Sequence, residues 1–571
     1  MRAIILIFSF FLITIGAWSQ KSTPEKKVSV VGAARSQFYG DQYAPSQEDS
    51  VTAKKLNSGN VLADLGLKIQ ANSNMEVLGM VRIRNDYGGF WGSGVSFDVR
   101  QLTVKGVIGN AVRYQLGDIN YRMTPYTLWN YDQEILSTMP TAFLTQMQAV
   151  NYDHFYNQDH AWRQQGASAN VGFLIAKAIK EIQLKAVSTR IKTSDFSNQS
   201  DRIFVGLNAN VIQSDALQLG LNYADVMDIV GTSRNQTSIR NPIFTGSANW
   251  RMPLRNATIR LSGEAGVSSS YTKGLDLPIK NGRFNDWRLN WTHQNNGFSF
   301  EARYQYVNAQ FRSPGAQTRR INPTGELTSY TRVGNDQSLR ALNMMDIMRE
   351  SNLYNMQLQT SLGQYLPQYD NITPYGDATP NRQGVFLNGK FGKKNGILSM
   401  SASTYMGREA RGEGTIEARQ FSRWQIESSF LFNEQTVGWK SQLRVSSRYR
   451  KDQTKRDGLD YLPQVNLQNE IASLGVEWLF QKKWELMLGL QRLDYKGLEM
   501  LNVRDFNGEI INFKEWEVDG SEWMNSVGMR YFFSPKSYLS LQHFNWNSDR
   551  AGAGFPKYAW GQWMLMYQMN F

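Results

Sequence analysis

Four histidines and no cysteine set the limits on the reactive chemistry this 571-residue chain can carry. Without thiols there is no disulfide, no thiolate metal site and no cysteine for lipid attachment. His154 and His160 each follow an aspartate, Asp153 and Asp159, in a loop-like stretch. That spacing would offer metal ligands only if the two dipeptides converged in space. Exposed polar loop residues are the plainer reading, so no metal and no cofactor is expected. His543 stands near Ser540 on an alternating stretch, the pair a barrel hydrolase facing the membrane interface would need. No motif orients the two. No glycine-rich phosphate loop or nucleotide motif occurs either, so no catalytic residue and no nucleic-acid partner is expected.

Chemistry of another kind is carried by cations. Within 437–450, Val437, Trp439, Leu443, Val445 and Tyr449 alternate with Lys440, Gln442, Arg444, Ser446, Arg448 and Arg450. A β-strand sends two such sets to opposite faces, which predicts a basic stripe along one wall. The same reasoning puts Arg202, Arg260, Arg303 and Arg530 on that inward face, in a chain of formal net charge +13. Rings of Arg and Lys in a pore favour anions. Glu264, Glu301, Glu427, Glu477 and Glu485 fall on the same face and could instead pair with the arginines and fill a closed lumen. Both readings stand at this point.

What would position these residues is a long series of strands. Ile203, Val205, Leu207, Ala209 and Val211 share one face against Arg202, Phe204, Gly206, Asn208 and Asn210, and after a turn at 213–215 the pattern resumes from Leu217 to Tyr223. The alternation recurs around Ile259–Val267 and Leu474–Phe480. The chain holds 16 Trp, 26 Tyr and 29 Phe, yet its mean hydropathy is −0.46. A transmembrane barrel reconciles the two, because only every second residue of a strand meets lipid. Beyond the N-terminus no apolar run approaches the roughly 18 residues of a membrane helix. Trp484, Trp523 and Trp563 fall near expected strand ends, with Trp250, Trp287, Trp291 and Trp424, where aromatic rings sit at a membrane interface.

Residues 1–19 read as a secretory signal peptide: Arg2, an apolar run from Ala3 to Gly16, then Ala17 and Ser19 as the small residues of a cleavage site. Residues 20–27 form a short periplasmic segment and 28–571 the barrel, with no room for an N-terminal plug domain. Short turns at 72–75, 109–110, 178–181, 213–215, 253–255, 294–297, 393–395, 433–435, 481–483 and 534–537 alternate with long connections at 40–60, 123–166, 229–241, 310–352, 451–469 and 496–522. The fold class is therefore all-β, an antiparallel transmembrane barrel of about 22–24 strands, bacterial single-chain barrels being even-numbered. A strand candidate at 353–365 decides between the two counts. In two outer connections, apolar tracts at Ile135–Met139 and Ala142–Val150 and a helix-like 339–348 would either enter the lumen or pack on the rim.

The last strand alternates Trp563, Leu565, Tyr567, Met569 and the terminal Phe571 with Gln562, Met564, Met566, Gln568 and Asn570. It resembles the signature that outer-membrane proteins present to the barrel-assembly machinery, which implies outer-membrane localisation, lipid as a partner and that machinery during biogenesis. Residues 97–119, an Arg-containing strand leading through Gly109 into a returning strand with Tyr114, resemble the early hairpin of the phosphate-selective porin family. The signal with Gln20 at the mature start and the Asn- and Tyr-rich strands resemble outer-membrane proteins of the Bacteroidota. These resemblances imply a channel for diffusion of small, anionic solutes. The alternative they imply is an accessory barrel of a secretion or gliding complex with an outer-membrane protein partner.

Overall fold

Period-two alternation becomes a single closed sheet in the computed structural model. It describes residues 27–45, 54–87, 95–129, 139–155, 164–175, 178–192, 194, 200–232, 234, 237–274, 279–293, 297–319, 338–339, 367–392, 396–412, 417–458, 463–504, 510–551 and 558–571. The signal peptide and nearly all of 20–27, the 353–365 strand and all but the start of the 339–348 helix lie outside these residues.

Twenty-two strands pair antiparallel, each with its sequence neighbours. They are β1 Val28–Pro45, β2 Lys54–Asn72, β3 Met75–Asp86, β4 Val95–Ile108, β5 Val112–Ile119, β6 Gln164–Leu174, β7 Glu181–Lys192 and β8 Arg202–Ile212. Next come β9 Leu217–Asp228, β10 Ser238–Pro253, β11 Ala257–Lys273, β12 Lys280–His293, β13 Phe298–Val307, β14 Arg382–Gly392 and β15 Leu398–Arg408. The last are β16 Gln420–Phe432, β17 Gln442–Arg456, β18 Val465–Phe480, β19 Trp484–Arg504, β20 Ile510–Ser534, β21 Ser537–Ala551 and β22 Tyr558–Asn570. Helix α1 spans Thr141–Phe155, and a one-turn helix, α2, spans Glu434–Val437. The terminal strand closes the ring on β1, from Ala33 opposite Asn570 to Pro45 opposite Tyr558. Phe571 and Gly32 exchange both backbone hydrogen bonds at the seam, at 3.0 and 3.1 Å.

The connections alternate short and long around the ring, so the start of β1 and the end of β22 lie with the short turns, the periplasmic end of such barrels. At the β4–β5 turn Gly109 and Asn110 both take left-handed backbone (φ 58° and 56°), and the Ala111 N–H donates to the Ile108 carbonyl at 3.1 Å. Left-handed backbone matches hairpin twist, and Gly and Asn are the residues that adopt it most readily.

Outward residues form the expected apolar wall: Val61, Leu65, Leu67, Leu486, Leu488, Val527, Met529 and Leu565 are all exposed. Trp478, Phe480, Trp484, Tyr531, Phe533 and Tyr567 make a continuous aromatic run at the short-turn end, with ring centroids 4.6–6.4 Å apart. On β20, Trp523 lies ten residues above Phe533 on the same face. For a tilted strand that is about 25 Å along the axis, the height of an outer-membrane apolar band. Above Trp523 the outward residues turn polar, through Ser521, Asp519 and Glu517.

Three expected connections are shorter than read. The 40–60 segment contains the end of β1 and the start of β2, the 451–469 segment is mostly strand, and 496–522 is mostly β19 and β20, which run 21 and 25 residues. Strands that continue above the bilayer have no lipid-facing side, so alternation fades there and resembles loop. The stripe at 437–450 also begins later than expected: Val437 ends α2, Trp439 and Lys440 lie in the turn, and the strand starts at Gln442.

Candidate functional site

The lumen is where the inward residues converge, and two outer connections fold into it. Helix α1 packs on the inner faces of β18, β19 and β20. Phe143 and Met147 are fully buried there, in a cluster with Ile471, Leu493, Met524, Phe544, Trp546, Trp560, Met564 and Tyr39. The wall is shaped to receive the helix. Gly475 and Gly489 are cross-strand partners, and a Cβ at Gly489 would stand 3.0 Å from Pro140 and 3.2 Å from the Phe143 ring. Polar groups fix both ends: the Thr141 hydroxyl donates to Glu477, Arg530 donates to the Thr145 hydroxyl at 2.5 Å, and the Tyr152 hydroxyl donates to Asp64.

Tyr152 sits among three arginines of β1, β3 and β4. Guanidinium carbons of Arg35, Arg82 and Arg100 lie 5.5, 5.1 and 3.8 Å from its ring centroid. Arg82 and Arg100 also hold the fully buried Asp64 at 2.8 and 3.0 Å. Burial pushes the Tyr152 phenol up to about 12, so it stays a neutral hydrogen-bond donor. α1 is thus a strut between β18 and β2.

The second insertion is 308–319 with 367–381. Tyr126, from the loop before α1, stacks on Phe284 at 3.9 Å and meets Phe311 edge-on. Its hydroxyl donates to Asp286 at 3.1 Å, and burial raises its pKa well above the ordinary phenol value. Asn371 donates to Glu499 at 2.6 Å and Tyr369 to Glu522 at 2.6 Å, which fastens 367–381 to the opposite inner wall. For the described residues, the choice between lumen and rim is settled in favour of the lumen.

All seven strand-borne arginines expected inward lie on the lumen face, but six are matched by carboxylates, Arg450 by Asp452 among them. Arg202 donates to Asp228 at 2.6 Å, Arg303 to Asp286 at 2.8 Å and Asp377 at 3.0 Å, and Arg530 to Glu485 at 2.8 Å. Arg444 lies 3.6 Å from Glu477 and Arg448 3.7 Å from Glu427. The pairing Glu427, Glu477 and Glu485 provide is the one the filled-lumen reading anticipated. Arg260, opposite Arg251 on β10, is exposed and makes no salt bridge among the described residues. Lys440 lies in the periplasmic turn rather than on the wall.

Trp484, Trp523, Trp563 and Phe571 all face outward. His543 also faces outward against Trp563 at 4.4 Å, while Ser540 is fully buried on the inner face, so the two cannot act together. His154 falls in α1 and His160 outside the described residues, among which no group of metal ligands forms.

One side of the lumen stays polar and open. Beneath Tyr126 lies a cavity of about 370 Å³, lined on β7–β12 by Gln183, Asn210, Gln218, Ser247, Asn249 and Ser262. Neither the cavity nor the arginine cage around Tyr152 was read from the sequence. The Asn208–Asn210 repeat on an inward face was the available signal.

An antiparallel ring with an apolar exterior between aromatic girdles is the β-architecture that can cross a bilayer, since closure leaves no strand edge in hydrocarbon. The chain is a 22-strand transmembrane barrel of the outer membrane. No family model and no curated protein matches it. Similar solved structures include Pseudomonas aeruginosa OccK8 (OprE), 9% identical with a TM-score of 0.36 over 95% of this chain and 98% of that one. OpdL of the same organism is 10% identical with a TM-score of 0.38, over 95% and 99%. Acinetobacter baumannii OccAB1 is 10% identical with a TM-score of 0.37, over 81% and 96%. At such scores the strand pairing, not the likeness, defines the fold.

Proposed function

We propose that this barrel is a narrow, porin-like channel through which small polar solutes diffuse across the outer membrane. The observation that carries the reading is the asymmetry of the lumen. The half under β18–β22 and β1 is filled by α1 and an apolar core that continues onto the outer-loop ends of β7–β10 through Val187, Phe204, Val226 and Ile243, whereas the short-turn ends of β7–β12 keep a cavity lined in part by amides and hydroxyls. Bias toward anions rests on Arg251 and Arg260 at the periplasmic mouth, because the other strand-borne arginines expected in the lumen, Arg444 included, are matched by carboxylates. Selectivity is therefore weak.

A second reading, an accessory barrel of a surface-assembly complex, draws support from the extent of filling by α1 and 367–381. Planar-bilayer recording of the refolded protein separates the two. Small, steady conductance with a weakly anion-biased reversal potential, reduced by Arg260→Glu, supports the channel. A folded but silent barrel refutes it and favours the accessory role.

A further inference from the structure

The cavity under Tyr126 presents mainly uncharged hydrogen-bonding groups, and most of the charge at its margin is self-paired. Arg288 and Arg303 face Asp286 and Asp377 at 2.8–3.5 Å, a closed set of two cations and two anions. Glu264, at the same margin, accepts from the Thr124 hydroxyl at 2.7 Å. A free anion would meet these carboxylates, and a free cation would find Asp286 and Asp377 already paired, with Glu264 the one carboxylate of the lining that makes no salt bridge among the described residues.

The remaining polar lining consists of carboxamides and hydroxyls on adjacent strands, beside the apolar Pro125, Ile212, Leu219 and Ala248. Gln218 is opposite Asn249, and Asn249 opposite Ser262, so three polar side chains stand side by side across β9, β10 and β11. Asn210 is braced from behind: it donates to Asn208 at 2.8 Å, Asn208 donates to Asn222 at 2.6 Å, and Asn222 to Thr245 at 2.8 Å. Such a ladder holds the Asn210 amide in a fixed orientation. The Asn249 Oδ1 atom is buried and has no hydrogen-bond partner among the described residues. Buried acceptors are normally satisfied, so the Asn249 amide keeps hydrogen-bonding capacity that the wall itself does not use. Gly220 keeps the floor open, since a Cβ there would stand 2.5 Å from Ser247 Oγ and 2.8 Å from Asn210 Oδ1.

A carboxamide presents a donor and an acceptor side by side, the complement of neighbouring hydroxyls on one solute. The volume corresponds to about a dozen water-sized atoms, the size of a hexose. We infer that this cavity is a binding station for an uncharged polyhydroxyl solute of monosaccharide size. The inference deepens the channel reading by giving that lane its substrate class.

Saturation-transfer NMR on the detergent-solubilised barrel tests it, with glucose as probe and gluconate and glucosamine as charged counterparts. Glucose should bind in preference to both. The double substitution Gln218→Leu/Asn249→Leu, which removes two amides, should weaken glucose about tenfold. Gly220→Ala, which fills the floor against flexible side chains, should weaken it independently if the double variant fails to fold. Gluconate binding as well as glucose, or glucose binding unchanged in a folded variant, overturns the inference. Bilayer recording on the same samples keeps the two claims apart. A silent barrel that binds glucose through these residues sinks only the channel. A conducting barrel that ignores glucose sinks only the binding station.

Discussion

Truncating Phe143 to alanine should loosen α1 from the wall and raise conductance. The ring is fully buried against Gly489, beside Pro140, with Met147 as the next apolar anchor. Removing a ring from such a site costs about 3–5 kcal/mol, cavity included. Three polar attachments persist, at Glu477, Arg530 and Asp64. Even the low end of that range shifts the ratio of docked to undocked helix by about two orders of magnitude. The strands keep their hydrogen bonds, so the barrel itself should still form. Single-channel recording should then show long excursions to a conductance well above that of the parent, while retarded migration of the unheated protein on gels confirms folding. Gly489→Val attacks the same contact from the wall and should have the same effect. If both variants fold and conduct like the parent, the helix is not what seals that half of the lumen.

Two further outcomes follow from the wall. Leu565 faces lipid six residues from the periplasmic end of the last strand, near mid-membrane, so Leu565→Arg should cost about 2–4 kcal/mol in denaturant unfolding from lipid vesicles. An unchanged midpoint would mean that this face does not meet hydrocarbon. Arg530→Met leaves Glu485 without its cation in a mostly buried position, at about 3–5 kcal/mol, and Arg530→Met/Glu485→Met should recover most of that loss. Equal destabilisation of single and double variants would show the ion pair to be incidental.

Face assignment was readable from the sequence because it depends only on parity along one strand. Arg202, Arg260, Arg303, Arg444, Arg448 and Arg530 all lie on the predicted side. Pairing was not readable, because whether Arg530 meets Glu485 depends on the register between strands 45 residues apart in sequence. The ring holds 22 strands because Phe298–Val307 pairs directly with Arg382–Gly392, which leaves no place in the sheet between them. The apolar stretch Ala142–Val150 signalled burial without saying against what. Its receiving surface, Gly475 beside Gly489, is two glycines in separate strands that carry no pattern of their own. Asn208, Asn222 and Thr245 became a ladder only through three aligned strands.

The apolar cluster beneath α1 also straddles the closing seam, drawing Tyr39 from the first strand and Trp560, Met564 and Met566 from the last. During insertion these inner faces would otherwise meet water until the ring zips shut. The helix therefore serves as a mandrel: the terminal strands come together around something they can wet. A chain whose α1 is late to enter should stall with its seam ajar, so formation of the barrel rather than the finished barrel would be the first casualty of damage to this loop.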